Sequence, residues 1–378
     1  MPLGVGRNEN KLINELFEDI LDAGMRIPPY VIYLAKRAVT IGITLVIAVY
    51  LTVLIANMGG YVDEIIKSDI LFSISTSIRQ NPAYENLPPE QIQELINKTY
   101  QNELKRLGFD KPFIYRSVEY LRRALMLDLG RSLYITSNTG SRFVKTIILE
   151  RLPVTILLFT TTNVILFFIG LLGGLYLSRK YGTLVDKISV SLAPLSSIPG
   201  WFYGVFLIIV FASYLRLLPY GGIVDAPPPE DPLLYALSVL KHMILPVMSW
   251  LVAYSAIGIY VRRTFFLMFS SEDYVEVAKA KGLPDRLIER RYILRPTLPP
   301  IITDFSLMLI SSWMGAIVTE TIFNWPGIGL LFYDAAVRFD SPVVIGLVVI
   351  YAYLLAITVF ILDIIYVIVD PRIRLGVM

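Results

Sequence analysis

The sequence predicts an all-α integral membrane protein with six transmembrane helices, a charged cytoplasmic loop and a long external insertion after the first helix. Of its 378 residues, 55% are hydrophobic and only 17% are charged, and the mean hydropathy is +0.62. The apolar residues fall into blocks of about 20, the helix length that crosses a bilayer. Residues 152–178 contain no charged residue. This pattern excludes an ordinary soluble domain.

The apolar blocks set the positions of the six helices. They predict spans at residues 38–58, 152–178, 188–215, 243–261, 297–319 and 342–362, the last extended towards residue 369. The third block contains Pro194 and Pro199, so we expect a kink whose freed backbone groups find partners inside the protein. The membrane core would then cover residues 152–369.

Three further segments flank these helices. Residues 1–37 predict an amphipathic cytoplasmic helix, whose acidic polar face suits a protein surface better than anionic lipid. Residues 59–151 are long enough for a small external domain and include an amphipathic helix at 88–107. Its role stays open between binding a partner and packing. Residues 370–378 would form a cytoplasmic tail.

The distribution of basic residues predicts the orientation in the membrane. Residues 1–37, 178–187, 262–295 and 371–378 together hold 18 of the 34 lysines and arginines, whereas the two short loops on the other side hold 3. Short loops rich in Lys and Arg stay in the cytoplasm, and long translocated segments count little. Both termini and the 262–295 loop are therefore expected to be cytoplasmic.

The charged stretch at 270–300 predicts a short helix, a sharp turn and a second helix. Ser270 and Ser271 are good N-caps, and Asp273 adds negative charge to the first turn, where the helix dipole favours it. Gly282 suits a left-handed C-terminal cap, and Pro284 can open a second helix that runs to about residue 294. Such a structure suits docking of a soluble partner, although a plain solvated basic loop is the alternative.

Several motifs in this half of the chain resemble one family. Residues 276–278 read Glu-Val-Ala, with Gly282 six residues after the glutamate, which resembles the EAA loop of ABC-importer permeases. Val277 stands where that family usually has alanine. The Leu-Pro-Asp-Arg run at 283–286 and the segment 320–329, which reads Glu-Thr-Ile-Phe-Asn-Trp-Pro-Gly-Ile-Gly, are similar to the oligopeptide/dipeptide/nickel branch. The Asp-Pro-Arg-Ile-Arg run at 370–374 is similar too.

The resemblance implies an importer assembled from several chains. It implies a second homologous permease subunit, two ABC ATPase subunits (or a homodimer) that bind ATP and Mg, and an external solute-binding protein. The loop at 270–296 would be the coupling helix, which sits in a cleft on the ATPase and transmits its closure to the membrane helices. The ATPase-coupling residues implied are Asp273, Glu276, Ala278, Lys279, Ala280, Gly282, Leu283 and Pro284.

Four residues are candidates for the translocation pathway. Asp304 lies inside the fifth predicted span, where a carboxylate is costly and should face protein or a water-filled cavity. Glu320 lies at the outer end of that span and is expected to meet water at the mouth of the pathway. Trp325 would cap the outer end of the pathway or simply sit at the membrane interface. Trp313 is either a pathway residue or a packing aromatic.

The sequence lacks the patterns of an enzyme. It contains no GxxxxGK[ST] loop, no GxSxG elbow and no HExxH pair. It has no cysteine and one histidine, so we expect no catalytic residue, no metal site and no cofactor in this chain. A net charge of +3 gives no reason to expect nucleic acid as a partner.

The interpretation is a multi-pass plasma-membrane permease subunit for oligopeptides or dipeptides, surrounded by membrane lipid. Oligosaccharides are the alternative cargo, and nickel ranks third because the spans hold no histidine pair. Two other classes stay open. One is an ion-coupled secondary transporter that uses Asp304, and the other is a membrane scaffold that recruits a protein through the 270–300 loop.

Overall fold

A computed structural model describes residues 28–57, 60–84, 87–106, 109, 112–312 and 315–369. Trp313 and the predicted tail 370–378 lie outside these residues. So does the predicted N-terminal segment 1–37, apart from residues 28–37. The helices, in order, are α1 Pro29–Asn57, α2 Tyr61–Arg79, α3 Pro89–Arg106, α4 Phe113–Leu125, α5 Val144–Arg179, α6 Leu184–Leu192, α7 Gly200–Leu207, α8 Pro232–Ser270, α9 Asp273–Ala280, α10 Asp285–Ile288, α11 Arg295–Ser311, α12 Ile317–Ile322, α13 Ile328–Val337 and α14 Ser341–Val369. Short 3₁₀ turns occupy Pro82–Tyr84 and Ala193–Ser197, and wider π-helical turns occupy Ile208–Tyr214 and Glu289–Leu294.

Within the described part of the chain, five helices are long and apolar enough to cross a membrane, and a bent pair raises the number to six if it counts as one span. The five include α1, α5, α8, α14 and the helix that runs through α10 and α11. The prediction of an all-α membrane protein with about six spans is therefore confirmed. The sixth is the pair Leu184–Ser197 and Gly200–Tyr214, whose axes differ by 95°.

That bend falls where the prolines predict a break, but it is sharper than a kink. The backbone groups freed by the break find internal partners. Tyr254 Oη accepts a hydrogen bond from the Gly200 amide (3.3 Å), and Tyr203 Oη donates to the carbonyl of Leu195 (2.8 Å). A polar backbone at this depth needs such partners because lipid offers none.

Three spans, α1, α5 and α8, are longer than predicted, and local contacts explain this for α1 and α8. α1 begins at Pro29 rather than 38, since the charge of Arg37 is paired with Asp363 at 2.7 Å and can stay in a helix. α8 runs from Pro232 to Ser270 rather than 243–261. Asp231 caps its start by accepting hydrogen bonds from the amides of residues 233 and 234, both at 2.9 Å. His242, which directly precedes the predicted span 243–261, is consequently buried inside this helix.

The chain forms two compact units. The first contains the described residues of 1–41, 152–330 and 356–378, and the second those of 42–151 and 331–355. A cluster of buried apolar side chains in the first unit surrounds Trp325 and joins α5 to α8; its buried members are Leu158, Phe159, Val239, Met243, Val247 and Trp325.

The second unit holds most of the predicted insertion. α3 matches the amphipathic helix predicted at 88–107, and its Ile96 is buried. Residues 144–151 belong to α5 rather than to the insertion. The loop before α5 is held by the buried carboxylate of Asp340, which accepts hydrogen bonds from Ser132 Oγ (2.6 Å) and the amides of residues 133–135.

Candidate functional site

The 270–300 stretch forms the predicted short helix, turn and second helix, although its start differs from the prediction. Ser270 and Ser271 do not cap α9. Their hydroxyls donate to the carbonyls of Leu267 (2.8 Å) and Met268 (2.9 Å) and thus close the last turn of α8. The N-cap of α9 is Glu272, without a side-chain hydrogen bond. The prediction was wrong here because α8 extends further than its apolar block.

The C-terminal end of α9 is a Schellman motif. Gly282 adopts φ +73°, its amide donates to the carbonyl of Lys279 (2.9 Å), and the amide of Leu283 donates to that of Ala278 (3.3 Å). These two hydrogen bonds, of the 5→2 and 6→1 types, give donors to two carbonyls that would otherwise have no partner at the end of the helix. The predicted left-handed cap at Gly282 is confirmed. A Cβ at this position would meet no atom within 4 Å, so only backbone strain would oppose a substitution.

A small apolar cluster fixes α9 against the following helix. Val275 and Ala278, three residues apart on one side of α9, are buried against Ile288 of α10. Leu283 covers the same cluster from the turn. Residues at this spacing share a helix face, so one side of α9 is buried by packing within the loop.

The other side of α9 is open. Val277 is 52% exposed and Tyr274 is 39% exposed, and the charged residues Asp273, Glu276, Lys279 and Lys281 are exposed as well. Aliphatic and aromatic surface surrounded by charge is the usual composition of a protein contact site. The exposed side of α9, formed by residues 273, 274, 276, 277, 279 and 281, is called the docking face below.

The second helix of the loop does not stop near residue 294. The π-helical turn Glu289–Leu294 joins α10 to α11, and Ile288, Glu289, Leu294 and Arg295 all keep right-handed helical torsions. The helix therefore runs from Asp285 to Ser311 and includes the fifth span. The predicted span 297–319 is wrong at its C-terminal end, because the helix stops at Ser311 and α12 is a separate short helix.

The loop is thus joined to two long helices by short connections. Two residues separate α8 from α9, and four separate α9 from α10. A force on α9 would pass directly into α8 and into the helix that contains α11. This is the geometry that a mechanical relay needs.

Two ion pairs attach α8 to neighbouring elements of the first unit. Arg263 makes two contacts of 2.6 Å with the buried carboxylate of Asp186, which also accepts a hydrogen bond from the Gly182 amide (2.9 Å). Arg262 Nη2 lies 2.6 Å from Asp304 Oδ2. The carboxylate of Asp304 is 60% exposed on this chain but has a close cationic partner. The role of Asp186 was missed, since the sequence shows it only as one charge in a short loop.

Glu320 has no exposed surface and is fully hydrogen-bonded. Thr155 Oγ1 donates to its Oε1 (2.7 Å), while the amides of Gly329 (2.7 Å) and Leu330 (3.0 Å) donate to its Oε2. Those amides belong to the first turn of α13, where a negative charge is favoured. The expectation that this carboxylate meets water is wrong for this chain, because the segment folds back on itself.

Gly327 makes that folded-back arrangement possible. A Cβ there would lie 2.6 Å from Glu320 Cδ and would also overlap Thr155 Oγ1. Thr155 in turn accepts a hydrogen bond from the amide of Ile328 (2.8 Å). A threonine within a charge-free span gives no sequence signal of its own, so its part in this network was not predicted.

Trp325 is buried as well and belongs to the same network. Its indole Nε1 donates to the carbonyl of Val154 (2.9 Å), and its amide donates to the carbonyl of Glu320 (2.8 Å). The ring therefore faces the protein interior rather than the membrane interface. The structure brings Glu320 and Trp325 together, whereas Asp304 pairs with Arg262 instead.

Comparison with known proteins identifies relatives over most of the chain. Residues 167–375, more than half of it, match the family model described as "Binding-protein-dependent transport system inner membrane component". The di/tripeptide transport system permease protein DppB of Pseudomonas aeruginosa is 33% identical over 287 residues, which covers 72% of this chain and 84% of the relative. The oligopeptide transport system permease protein AppB of Bacillus subtilis is 31% identical over 272 residues, with the same two coverages.

A third relative extends the pattern. The dipeptide transport system permease protein DppB of Bacillus subtilis is 32% identical over 282 residues, covering 74% of this chain and 85% of the relative. The family match includes α9, the segment that contains Glu320 and Trp325, and the helix that connects α9 to the fifth span. These matches confirm the resemblance, and the chain belongs to the family of inner membrane components of binding-protein-dependent transport systems.

Proposed function

We propose that this chain is the permease subunit of an ATP-driven ABC importer that takes up oligopeptides or dipeptides from an external solute-binding protein. The observation that carries the proposal is α9, which is held by Val275 and Ala278 on one side and exposes its docking face on the other. Family membership supports the transport role, and the three relatives are named for di/tripeptide, oligopeptide and dipeptide transport.

The energy for transport would come from ATP hydrolysis in partner chains. This sequence has no phosphate-binding loop of the GxxxxGK[ST] type, so two ABC ATPase subunits, or a homodimer, would bind ATP and Mg. A second homologous permease subunit would complete the pathway. The positive-inside distribution supports a topology in which both termini and α9 face the cytoplasm, where such ATPases act.

The coupling residues divide into three roles in this proposal. Asp273, Glu276 and Lys279 contact the ATPase cleft together with the exposed Val277. Ala278 holds the helix to the membrane domain. Residues 280–284, which include Ala280, Gly282, Leu283 and Pro284, form the turn that fixes the angle between α9 and the helix that leads to the fifth span. Closure of the ATPases then moves two spanning helices as rigid levers.

The pathway candidates act indirectly. Glu320 and Trp325 fix the fold of the segment between the fifth and sixth spans, and so shape this end of the pathway without touching cargo. Asp304 holds α11 to α8 through Arg262. This ion pair favours a structural role for Asp304 over the coupling role that an ion-coupled transporter would require of it.

Uptake into proteoliposomes tests the function. The assembled complex, with its binding protein outside and ATP inside, should accumulate a labelled dipeptide or a labelled oligopeptide. A labelled oligosaccharide in a parallel assay distinguishes the two cargo classes. Uptake that continues without ATP but stops when the ion gradient is dissipated would contradict the importer and favour a secondary transporter.

A further inference from the structure

A cavity of about 360 Å³ lies within the second unit. That volume falls within the range of small-molecule ligand sites. One wall consists of the last turns of α1 and the first turns of α14, including Val53, Ala56, Ile345 and Val349. The other walls come from α2, α4 and the segment 128–131. Nothing in the coupling mechanism uses this cavity.

The cavity lies at a membrane boundary. Val53 lies four residues before the end of α1, and Val349 lies eight residues after the start of α14. At a rise of 1.5 Å per residue, the cavity reaches about 6 Å into one helix and about 12 Å into the other. Both are candidate membrane spans of 29 residues, about 43 Å long, so each exceeds the roughly 30 Å of hydrocarbon and about one turn at each end lies beyond its edge. The cavity therefore extends from the polar boundary into the apolar layer.

The lining combines apolar and charged side chains. The lining residues of α1 and α14 are all apolar, whereas Asp69, Arg123, Asp128 and Arg131 belong to the other elements of the lining. Arg123 Nε is paired with Asp128 Oδ2 at 2.8 Å. This leaves one acid and one base, Asp69 and Arg131, available for a ligand. A ligand that fits must have an apolar body and a head of both charges.

Asp69 and Arg131 lack ordinary partners. Among the residues that the structure describes, Asp69 makes no hydrogen bond and no ion pair. Burial raises the pKa of its carboxyl, against the opposing influence of the nearby arginines Arg131, Arg142 and Arg123. Arg131 places its guanidinium 5.0 Å from the ring centre of Phe143 and forms no direct ion pair in the described part of the chain, although Asp69 lies close enough to feel its charge. A half-buried acid of this kind is stabilised by a ligand that brings a cation with N–H donors.

We propose that this cavity binds a membrane lipid whose head group carries both a primary ammonium and a phosphate. Asp69 accepts hydrogen bonds from the ammonium, Arg131 pairs with the phosphate, and an acyl chain lies along Val53, Ile345 and Val349. A choline head group offers no N–H donor to Asp69, and a glycerol head group offers no cation. Phosphatidylethanolamine is therefore the preferred probe. The binding site itself does not depend on the proposed function. Only the choice of leaflet rests on it, because the proposed topology puts this end of α1 and α14 on the external side, so the lipid would come from the outer leaflet.

Native mass spectrometry of the assembled complex tests the head-group contacts. The complex is extracted from vesicles that contain equal amounts of phosphatidylethanolamine, phosphatidylcholine and phosphatidylglycerol with identical acyl chains. Wild type should retain phosphatidylethanolamine about tenfold more than either competitor, as one charge-assisted hydrogen bond would give. Asp69→Asn should remove that preference. Glu64→Gln, an exposed change on the same helix, should leave it intact.

A second pair of variants tests the acyl side. Ala56→Phe fills the cavity and should abolish lipid retention, whereas Ile55→Phe, at a neighbouring side chain that is 68% exposed and does not line the cavity, should not. Equal retention of the three lipids by wild type would overturn the proposal. So would unchanged phosphatidylethanolamine preference in Asp69→Asn, or displacement of the lipid by a free peptide.

Peptide uptake measured on the same preparations separates this proposal from the transport function. A complex that binds phosphatidylethanolamine selectively but takes up no peptide contradicts the importer alone. A complex that transports peptide but shows no head-group preference contradicts the lipid site alone.

Discussion

The α9 loop and the Glu320 segment both carry family motifs, yet their side chains are used in opposite ways. In α9, Val275 and Ala278 are buried and the rest of the helix is open. In the other segment, Glu320 and Trp325 are both buried with their polar atoms hydrogen-bonded. A motif can thus mark either a surface kept free for a partner or an interior network that fixes the backbone. The variants below test that difference.

Replacing Glu320 should have the largest effect on stability. Glu320→Ala leaves Thr155 and two buried amides without an acceptor and creates a cavity, so we expect a loss of about 3–5 kcal/mol. Glu320→Gln keeps an acceptor oxygen and should lose much less. Thermal unfolding in detergent measures both. If Glu320→Ala unfolds like wild type but transports nothing, the carboxylate acts in the pathway rather than in the fold.

Adding a methyl group at Gly327 should destabilise the same network. A Cβ there overlaps Thr155 and the Glu320 carboxylate, so we expect Gly327→Ala to lose about 2–3 kcal/mol. Gly282→Ala is the matched control in α9, where a Cβ meets no atom and only the left-handed backbone opposes it, at about 1 kcal/mol. Comparable unfolding temperatures for the two variants would contradict a tight fit at Gly327.

Two valines of α9 separate anchoring from docking. Val275→Ala removes buried contacts with Ile288 and should weaken the loop by about 1–2 kcal/mol. This loss of stability should be seen as faster hydrogen exchange in residues 273–283. Val277→Asp, at a side chain that is 52% exposed, should leave exchange unchanged.

The same exposed valine should nevertheless matter for assembly. We expect Val277→Asp to weaken ATPase binding about tenfold or more, since a charge would enter the centre of an apolar contact. Titration of the purified permease with its ATPase measures this effect. Wild-type affinity in Val277→Asp would place the contact elsewhere on the loop.

Much of the architecture could be predicted because membrane helices are specified by long apolar runs. The six apolar blocks, and the short helix, turn and second helix at 270–300, all follow from local composition. Gly282 could be assigned its left-handed cap because a glycine between a charged helix and a proline has few other uses. The ends of the helices could not be predicted, since Asp231 extends α8 and Asp363 neutralises Arg37 through contacts that the apolar pattern does not show.

The environment of the site residues was the least predictable part. Glu320 lies 165 residues from Thr155 along the chain, so its hydrogen bonds depend on tertiary structure alone. The same holds for Arg262 with Asp304 and for Arg263 with Asp186. An acidic residue in an apolar sequence can be recognised as costly, but whether water or a partner side chain compensates that cost depends on the fold.

The central claim, that α9 is the coupling element, is tested most directly by affinity purification of the tagged chain with its ATPase. Wild type, Gly282→Asn and Gly282→Pro are compared, because asparagine tolerates the left-handed turn and proline cannot adopt it. We expect wild type and Gly282→Asn to retain a partner that hydrolyses ATP in a Mg-dependent manner. Gly282→Pro should lose it while keeping the unfolding temperature of the membrane helices. Equal ATPase retention and equal peptide-stimulated hydrolysis in all three would contradict coupling through α9.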